Sequence, residues 1–418
     1  MAKIGIIGGG ISGLMAAYYL QKDGHEVHVL DRGDFSEGCS HGNAGMIVPS
    51  HIIPLAAPGV VMKGLKWLLD KKSPFAIVPS LDKDLIYWLF AFHRAATEAN
   101  VQRAIPQLAA LSLLSKKLYQ EIAAAGEVRL DLQEKGILML CQTAPTEHEE
   151  HEVARLADAQ GIQAIPMTPD ELAALDPSVR YTVRSAVYYP GDAVIDPAVA
   201  MSSLLNDLQQ KGLVFWPHTE VTGFRCGKDS ILALQCADGE RSYDHYVLCG
   251  GAWSGMLMKS IGLRLPVTGG KGYSFVQNNA AGLSIPSLLL DHRVSVTPYG
   301  QAVRFGGTME LGRLNPLLNM AKVSGIHSAI RQYFADWKSP EPTLQEVWHG
   351  FRPCSPDGLP YLGTTQKYGN LHIAAGHGMM GVSLAPASGK IIADLVQGRT
   401  PELAQMHAFR PERFVTKR

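Results

Sequence analysis

Neither sign of charge prevails in this chain. Its 38 lysines and arginines are balanced by 38 aspartates and glutamates over 418 residues, so no global field draws it to nucleic acid or acidic lipid. Cysteine is sparse: the six stand at 39, 141, 226, 236, 249 and 354, and no pair has the spacing of a metal knuckle or a redox dithiol. They read as reduced packing residues, and no metal site is expected. No run reaches the ~20 consecutive apolar residues of a membrane-spanning helix. MAKIGIIGGG enters structure without a basic region or a long apolar stretch, so the expected compartment is the cytoplasm. Fixed-period repeats and low-complexity tracts are missing too. What remains is a globular chain, 46% hydrophobic and 18% charged, long enough for two domains.

One region stands apart. Residues 51–92 interleave apolar and aromatic residues with Lys63, Lys66, Lys71 and Lys72. That composition suits core-facing helices of an insertion, or a peripheral contact with a membrane surface.

The sharpest pattern is at the N-terminus. KIGIIG (3–8) reads as a short buried strand of a parallel sheet, ISGLMAAYYLQKDG as a helix stopping at Gly24, and EVHVLD as a second strand. Together they make a right-handed βαβ unit. Gly8, Gly10 and Gly13 form GxGxxG at its turn: the first permits the tight turn, the second admits a pyrophosphate to the backbone, and the third lets the helix close on the sheet. Ile11 and Ser12 open the helix, whose free N–H groups and positive dipole end suit that anion. Asp31 ends the second strand 18 residues beyond Gly13, where a carboxylate accepts ribose hydroxyls and repels a 2′-phosphate. Arg32 follows it.

Farther along, SEGCSHGNAGM is irregular and rich in small residues, as where backbone meets ligand. Helices are expected at 98–125, 146–161, 170–176, 197–212 and 322–338. Strand runs are expected from VFWPHTEV to YVLCGG and across 266–311, and the chain closes on the strand NLHIAAG and the helix VSLAPASGKIIADLVQG. The fold class is therefore α/β and α+β. A discontinuous Rossmann-like cofactor domain (1–50, 195–265 and 345–418) is expected beside a second, antiparallel-sheet substrate domain (51–194 and 266–344).

The βαβ unit alone does not choose between FAD and NAD. GGGISG, SHGNAGMIVPS, PGDAVIDP, VLCGGAWSG, GYS, FGGTMELG, FRPCSPDGLPYLG and GHGMMGVSLAPASGKIIADLV occur in this order. In these motifs the chain resembles, over almost its whole length, the D-amino acid oxidase/dehydrogenase superfamily of FAD-dependent oxidoreductases, and most of all its bacterial D-amino acid dehydrogenase branch. The resemblance implies FAD, with Ser40, Asn43, Ala44, Gly45, Gly376, His377, Gly378 and Gly381 as flavin contacts and the Val221 backbone against adenine. Gly250 and Met379 complete the expected set. The family more often has glutamate at position 31, and Asn43 follows HG rather than small or apolar neighbours. Some relatives attach flavin through a cysteine seven residues before the aspartate matched by Asp357; that position is Gly350, so FAD is expected to be non-covalent.

Flavin carries the hard step of amine oxidation, so the protein need only orient substrate and exclude water, and no nucleophile or catalytic dyad is required. Arg352 in GFRPCSPDG matches the arginine that holds the substrate carboxylate in part of the family, and its planar fork suits that task. Tyr273 is expected as a second donor, His377 as a residue polarising the flavin's surroundings, and His51 as a pocket residue assisting deprotonation. Arg304 and Glu310 are expected to form a buried ion pair near the site. The expected reaction is dehydrogenation of a small D-amino or imino acid, a D-hydroxyproline-like one included, with electrons passing to a quinone or an electron-transfer protein. Alternatives are an oxygen-using glycine- or sarcosine-type oxidase, an electron-transfer subunit of a complex, and a module acting on a nucleic-acid amine, the last disfavoured by the charge balance.

Overall fold

The computed structural model describes residues 1–59, 72–78, 80–279, 281–312 and 314–414. Its first sheet has six strands in the order Tyr361–Thr364, Leu371–Ala375, His245–Leu248, Lys3–Ile7, Glu26–Leu30 and Val214–Trp216. All neighbours are parallel except the edge strand Tyr361–Thr364. A parallel sheet covered on both faces needs strands that are apolar throughout. Lys3–Ile7 meets that demand, with Ile4 and Ile6 fully buried.

The helix Ile11–Lys22 packs against the C-terminal helix Gly381–Val396, which in turn meets the long helix Glu98–Ala125. Gly389 lies where a Cβ would come 2.5 Å from the Met15 carbonyl carbon, so the first two helices touch backbone to backbone. Pro386 withholds the N–H that the Val382 carbonyl would accept from, and the Tyr119 hydroxyl donates there instead at 2.7 Å. The stretch Gly378–Val396 has the length and apolar character of a membrane span, yet 67% of its most apolar part is buried inside the protein. Packing against two helices accounts for that composition.

The second sheet, of nine strands among the described residues, runs Trp348–Cys354, Thr268–Asn278, Ala302–Gly312, Val294–Tyr299, Ser287–Leu289, Ile137–Cys141, Ser185–Tyr189 and Ile165–Met167. Phe75–Ile77 pairs alongside Ala302–Gly312. Alternation sorts its residues: Tyr273, Phe275, Val294, Val296 and Phe305 pack with the helix Met320–Tyr333, while Gly272, Ser274, Ser295, Gly306 and Thr308 line a cavity. Trp348–Cys354 lies in the 345–418 segment expected to serve the cofactor domain, and it pairs with Thr268–Asn278 of this sheet.

The expected helices form close to their predicted bounds, with one early stop. The helix predicted at 322–338 ends at Tyr333, because Phe334 and Trp337 leave it to bury themselves and the chain pairs with 180–182. Of the lysine-rich stretch, Lys63, Lys66 and Lys71 lie outside the described residues. Lys83–Ala95 is a helix capped by the Asp82 carboxylate; it buries Leu85, Trp88, Ala91 and Phe92 and leaves Ile86 and Phe90 exposed. The Trp88 indole donates to the Cys354 carbonyl at 2.8 Å, fixing this helix to the second sheet.

Candidate active site

A continuous cavity of about 1910 Å³ runs from the carboxyl ends of the parallel strands to the small-residue face of the second sheet. Single-ligand pockets are usually about 300–1,000 Å³, so this one has room for a dinucleotide and a substrate together.

Its first end is the fingerprint turn. Gly8 has φ +104, and a Cβ there would come 2.5 Å from the Cys249 carbonyl oxygen. At Gly13 a Cβ would run into the Gly8 carbonyl, so this glycine serves helix–strand packing and does not line the cavity. Gly10, Ile11 and Ser12 do line it, and Ile11 N donates to Ser40 Oγ at 3.1 Å. The Asp31 carboxylate accepts from Gly9 N at 2.7 Å and Gly33 N at 2.8 Å, which holds it at the cavity wall. Arg32 lies over the Trp253 ring at 3.8 Å, and Val221 and Gly250 line the same end.

The loop that follows is clasped by the second sheet. Ser274 Oγ donates to the Gly42 carbonyl (2.9 Å), Arg304 to that of Asn43 (2.8 Å), and Thr297 and Tyr299 to that of Ala44 (2.8 and 3.0 Å). The Asn43 side chain accepts from Gly45 N, closing a local turn. Ser40, Asn43 and Ala44 line the cavity, whereas Gly45 and Gly376 do not: the one packs on the Ile195 carbonyl, the other on the Tyr361 ring.

Opposite the fingerprint, Gly378, Met379 and Gly381 bring the start of the C-terminal helix to the cavity. His377 Nε2 lies 2.9 Å from Ser388 Oγ, and that hydroxyl donates to Leu384 O. Ser388 is thus the acceptor and the Nε2–H tautomer is favoured. Burial pushes the His377 pKa down to about 4 and keeps the ring neutral.

Arg352 is one cation of the site. Its guanidinium lies over Gly272, where any Cβ would collide with it, and Nη1 donates to the Thr308 carbonyl at 2.8 Å. Among the described residues it has no carboxylate within ion-pair distance, and burial pulls its pKa below the ordinary value. Thr308 itself has φ +65, a left-handed conformation that costs a β-branched residue about 1–2 kcal/mol. That turn of the backbone aims its carbonyl at Arg352.

Two expectations are corrected here. Tyr273 borders the cavity, but its hydroxyl donates to Glu310 and accepts from Asn319 N at 3.2 Å, so its proton is already engaged. Arg304 and Glu310 do not pair: six residues apart on one strand, they stand about 20 Å from each other. Arg304 serves the Asn43 carbonyl, and Glu310 faces Lys271 at 3.7 Å.

His51 lines the cavity as expected, but burial, aided by the charge of Arg293, pushes its pKa down to about 4. Such an imidazole is a weak base at neutral pH. Glu150, which no sequence signal had marked, also lines the cavity. It is 8% exposed, accepts from the Tyr189 hydroxyl at 2.8 Å, and has its pKa raised by burial to about 7.

Because the raised value belongs to the folded state, Glu150→Gln should gain on the parent as pH rises from 4.5 to 7 and hold the gain above that. The rise from 4.5 to about 7 corresponds to about 3 kcal/mol. Urea unfolding of both proteins at pH 5 and pH 8 measures it. A stability difference independent of pH would show that Glu150 is not held protonated.

Residues 3–395 match the family model described as FAD dependent oxidoreductase. A D-amino acid dehydrogenase of Methylobacterium sp. strain 4-46 is 31% identical over 411 residues, covering 96% of this chain and 97% of its own. A D-amino acid dehydrogenase of Granulibacter bethesdensis is 29% identical over 409 residues, with the same coverage. Among solved structures, glycine oxidase from Geobacillus kaustophilus superimposes with a TM-score of 0.79 at 21% identity, covering 100% of both chains. L-Proline dehydrogenase from P. horikoshii gives 0.74 at 18%, covering 99% of this chain and 97% of its own.

Proposed function

Since the chain belongs to the FAD-dependent oxidoreductase family, we propose that it dehydrogenates the C–N bond of a small D-amino or imino acid held by Arg352. The carrying observation is that arginine: a guanidinium withdrawn into the cavity, positioned by Thr308 and free of any carboxylate among the described residues. A charge withdrawn from water without a counter-ion is costly, and a substrate carboxylate removes that cost with two parallel hydrogen bonds.

The residues fit FAD. Gly10 leaves the helix N-terminus open to a pyrophosphate, Asp31 presents a carboxylate where ribose hydroxyls would lie, and the start of the C-terminal helix meets the far end of the cavity. When bound, FAD supplies the hydride acceptor for the carbon that bears nitrogen. The protein's part is to anchor the carboxylate at Arg352, to seat the small substrate carbon over Ser274 and Gly306, and to keep neutral His51 and His377 from competing as cations. On the likeness to relatives named dehydrogenases, the electron acceptor is read as a quinone or an electron-transfer protein. A D-hydroxyproline-like substrate remains among those proposed.

Anaerobic mixing of the purified holoprotein with D-, L- and N-substituted amino acids tests the reading, with loss of the yellow absorbance as the signal. Bleaching by at least one α-amino or imino acid, and none by its amide, is expected. Bleaching by amines without a carboxylate would overturn it. Acid precipitation should leave the colour in the supernatant, since a thiol does not occupy position 350; colour kept in the pellet would refute non-covalent binding.

A further inference from the structure

A second cation stands across the cavity floor from the first. Arg293 lines the cavity, is exposed within it, and has no carboxylate within ion-pair distance among the described residues. It immediately precedes the strand Val294–Tyr299, where Ser295 pairs with Gly306. Extending that register by two residues puts Arg293 level with Thr308, whose carbonyl holds Arg352. The Arg293 carbonyl lies 3.4 Å from a Cβ placed on Gly307, which confirms the adjacency. Two strand spacings therefore separate Arg293 from Gly272 beneath Arg352, about 10 Å.

The turn bearing Arg293 is built, not loose. Asp291 accepts from Gln142 N (2.9 Å), Thr143 Oγ1 (2.6 Å), Thr146 Oγ1 (2.8 Å) and the Tyr333 hydroxyl (2.9 Å). Arg293 itself is in the left-handed region at φ +54, a conformation uncommon for a residue other than glycine. Between the two arginines, Thr308 is 6% exposed, and its buried hydroxyl has no hydrogen-bond partner. A buried hydroxyl left unpaired at a cavity wall is a place where a ligand oxygen gains.

We propose that Arg293 and the Thr308 hydroxyl form a second anion subsite, one that binds a carboxylate on the substrate's side chain, so that acidic amino or imino acids are preferred over uncharged ones of equal size. This rests on Arg352 as the α-carboxylate anchor. Glu150 does not neutralise Arg293: they form no ion pair, and burial outweighs the arginine's pull on the glutamate.

The test compares kcat/KM for glutamate and glutamine, of the enantiomer the enzyme uses, in the parent protein, Arg293→Met and Arg293→Lys. The parent should prefer glutamate. In Arg293→Met the glutamate-to-glutamine ratio should fall on the order of ten- to a hundredfold, with partial recovery in Arg293→Lys. Thr308→Val should lower the ratio by several-fold. Titrating the holoprotein with glutarate and butyrate, followed in the flavin absorption band, reads the subsite without turnover: glutarate should bind more tightly, and Arg293→Met should erase the difference. A parent protein indifferent to the distal charge, or a ratio unmoved in Arg293→Met, would overturn the inference. If no amino or imino acid bleaches the flavin, the functional reading fails, and the glutarate titration still decides whether the second subsite exists.

Discussion

Arg352→Lys should lower kcat/KM on the best substrate by roughly ten- to a hundredfold, and Arg352→Ala by more, with flavin content unchanged in both. Lysine keeps the charge but loses the planar fork, and a hydrogen bond to a charged group contributes about 1.5–3 kcal/mol. The structure adds a second loss. Nη1 is held by the carbonyl of Thr308, whose left-handed backbone is built for that contact. A flexible ammonium reaching the same carbonyl has no second N–H in the same plane for the substrate. Alanine removes the charge altogether and leaves water over Gly272. Both variants should also lose the preference for the acid over its amide, because that preference is the anchor's signature. Steady-state kinetics on acid and amide, with flavin counted by absorbance, check the result. Near-normal efficiency in Arg352→Ala would mean that the carboxylate is held elsewhere. Arg304, on the same sheet, is committed to the Asn43 carbonyl, so Arg293 would become the next candidate.

What could be read from sequence was local, and what could not depended on register. The βαβ unit, its glycines and the helix Glu98–Ala125 follow from periodicity and punctuation within a few turns of chain, and they form as expected. The apolar C-terminal helix was legible too, although its proline needed Tyr119 from far away in sequence. The expectation for Tyr273 turns on which face of the sheet it occupies, whereas Arg304 and Glu310 are parted by six residues of extended strand. Alternation shows that residues two apart share a face, but not which face is the cavity. Here the face is set by an irregularity between Lys271 and Tyr273 and by the left-handed Thr308 opposite it. Those put Gly272 and Ser274 on the cavity side and send the Tyr273 hydroxyl to Glu310. Arg293 and Glu150 had no signal of their own; they reach one cavity because Ser287–Leu289 pairs with Ile137–Cys141, two segments distant in sequence. Arg352 was found through its motif, and its isolation from carboxylates became visible only in three dimensions.

Gly10→Val should abolish retention of FAD while leaving the protein folded, and Gly13→Val should do the reverse damage first. The two glycines stand in one motif but face different neighbours. A Cβ on Gly10 would meet only Ser40 Oγ, at 3.4 Å, an ordinary van der Waals distance, and its backbone at φ −70 suits any residue. The protein therefore tolerates the side chain, which projects into the space at the helix N-terminus that a pyrophosphate would occupy. Losing even one or two charge-assisted hydrogen bonds there weakens binding on the order of a hundredfold or more. A Cβ on Gly13 instead runs into the Gly8 carbonyl, so helix and strand must part before any cofactor is considered. Purified Gly10→Val should be colourless, with parental circular dichroism and thermal unfolding close to that of the apoprotein, and added FAD should not restore colour. Gly13→Val should unfold well below the apoprotein or fail to accumulate. Normal flavin content in a folded Gly10→Val protein would show that this turn does not hold the cofactor, and the assignment of the fingerprint end of the cavity would fall with it.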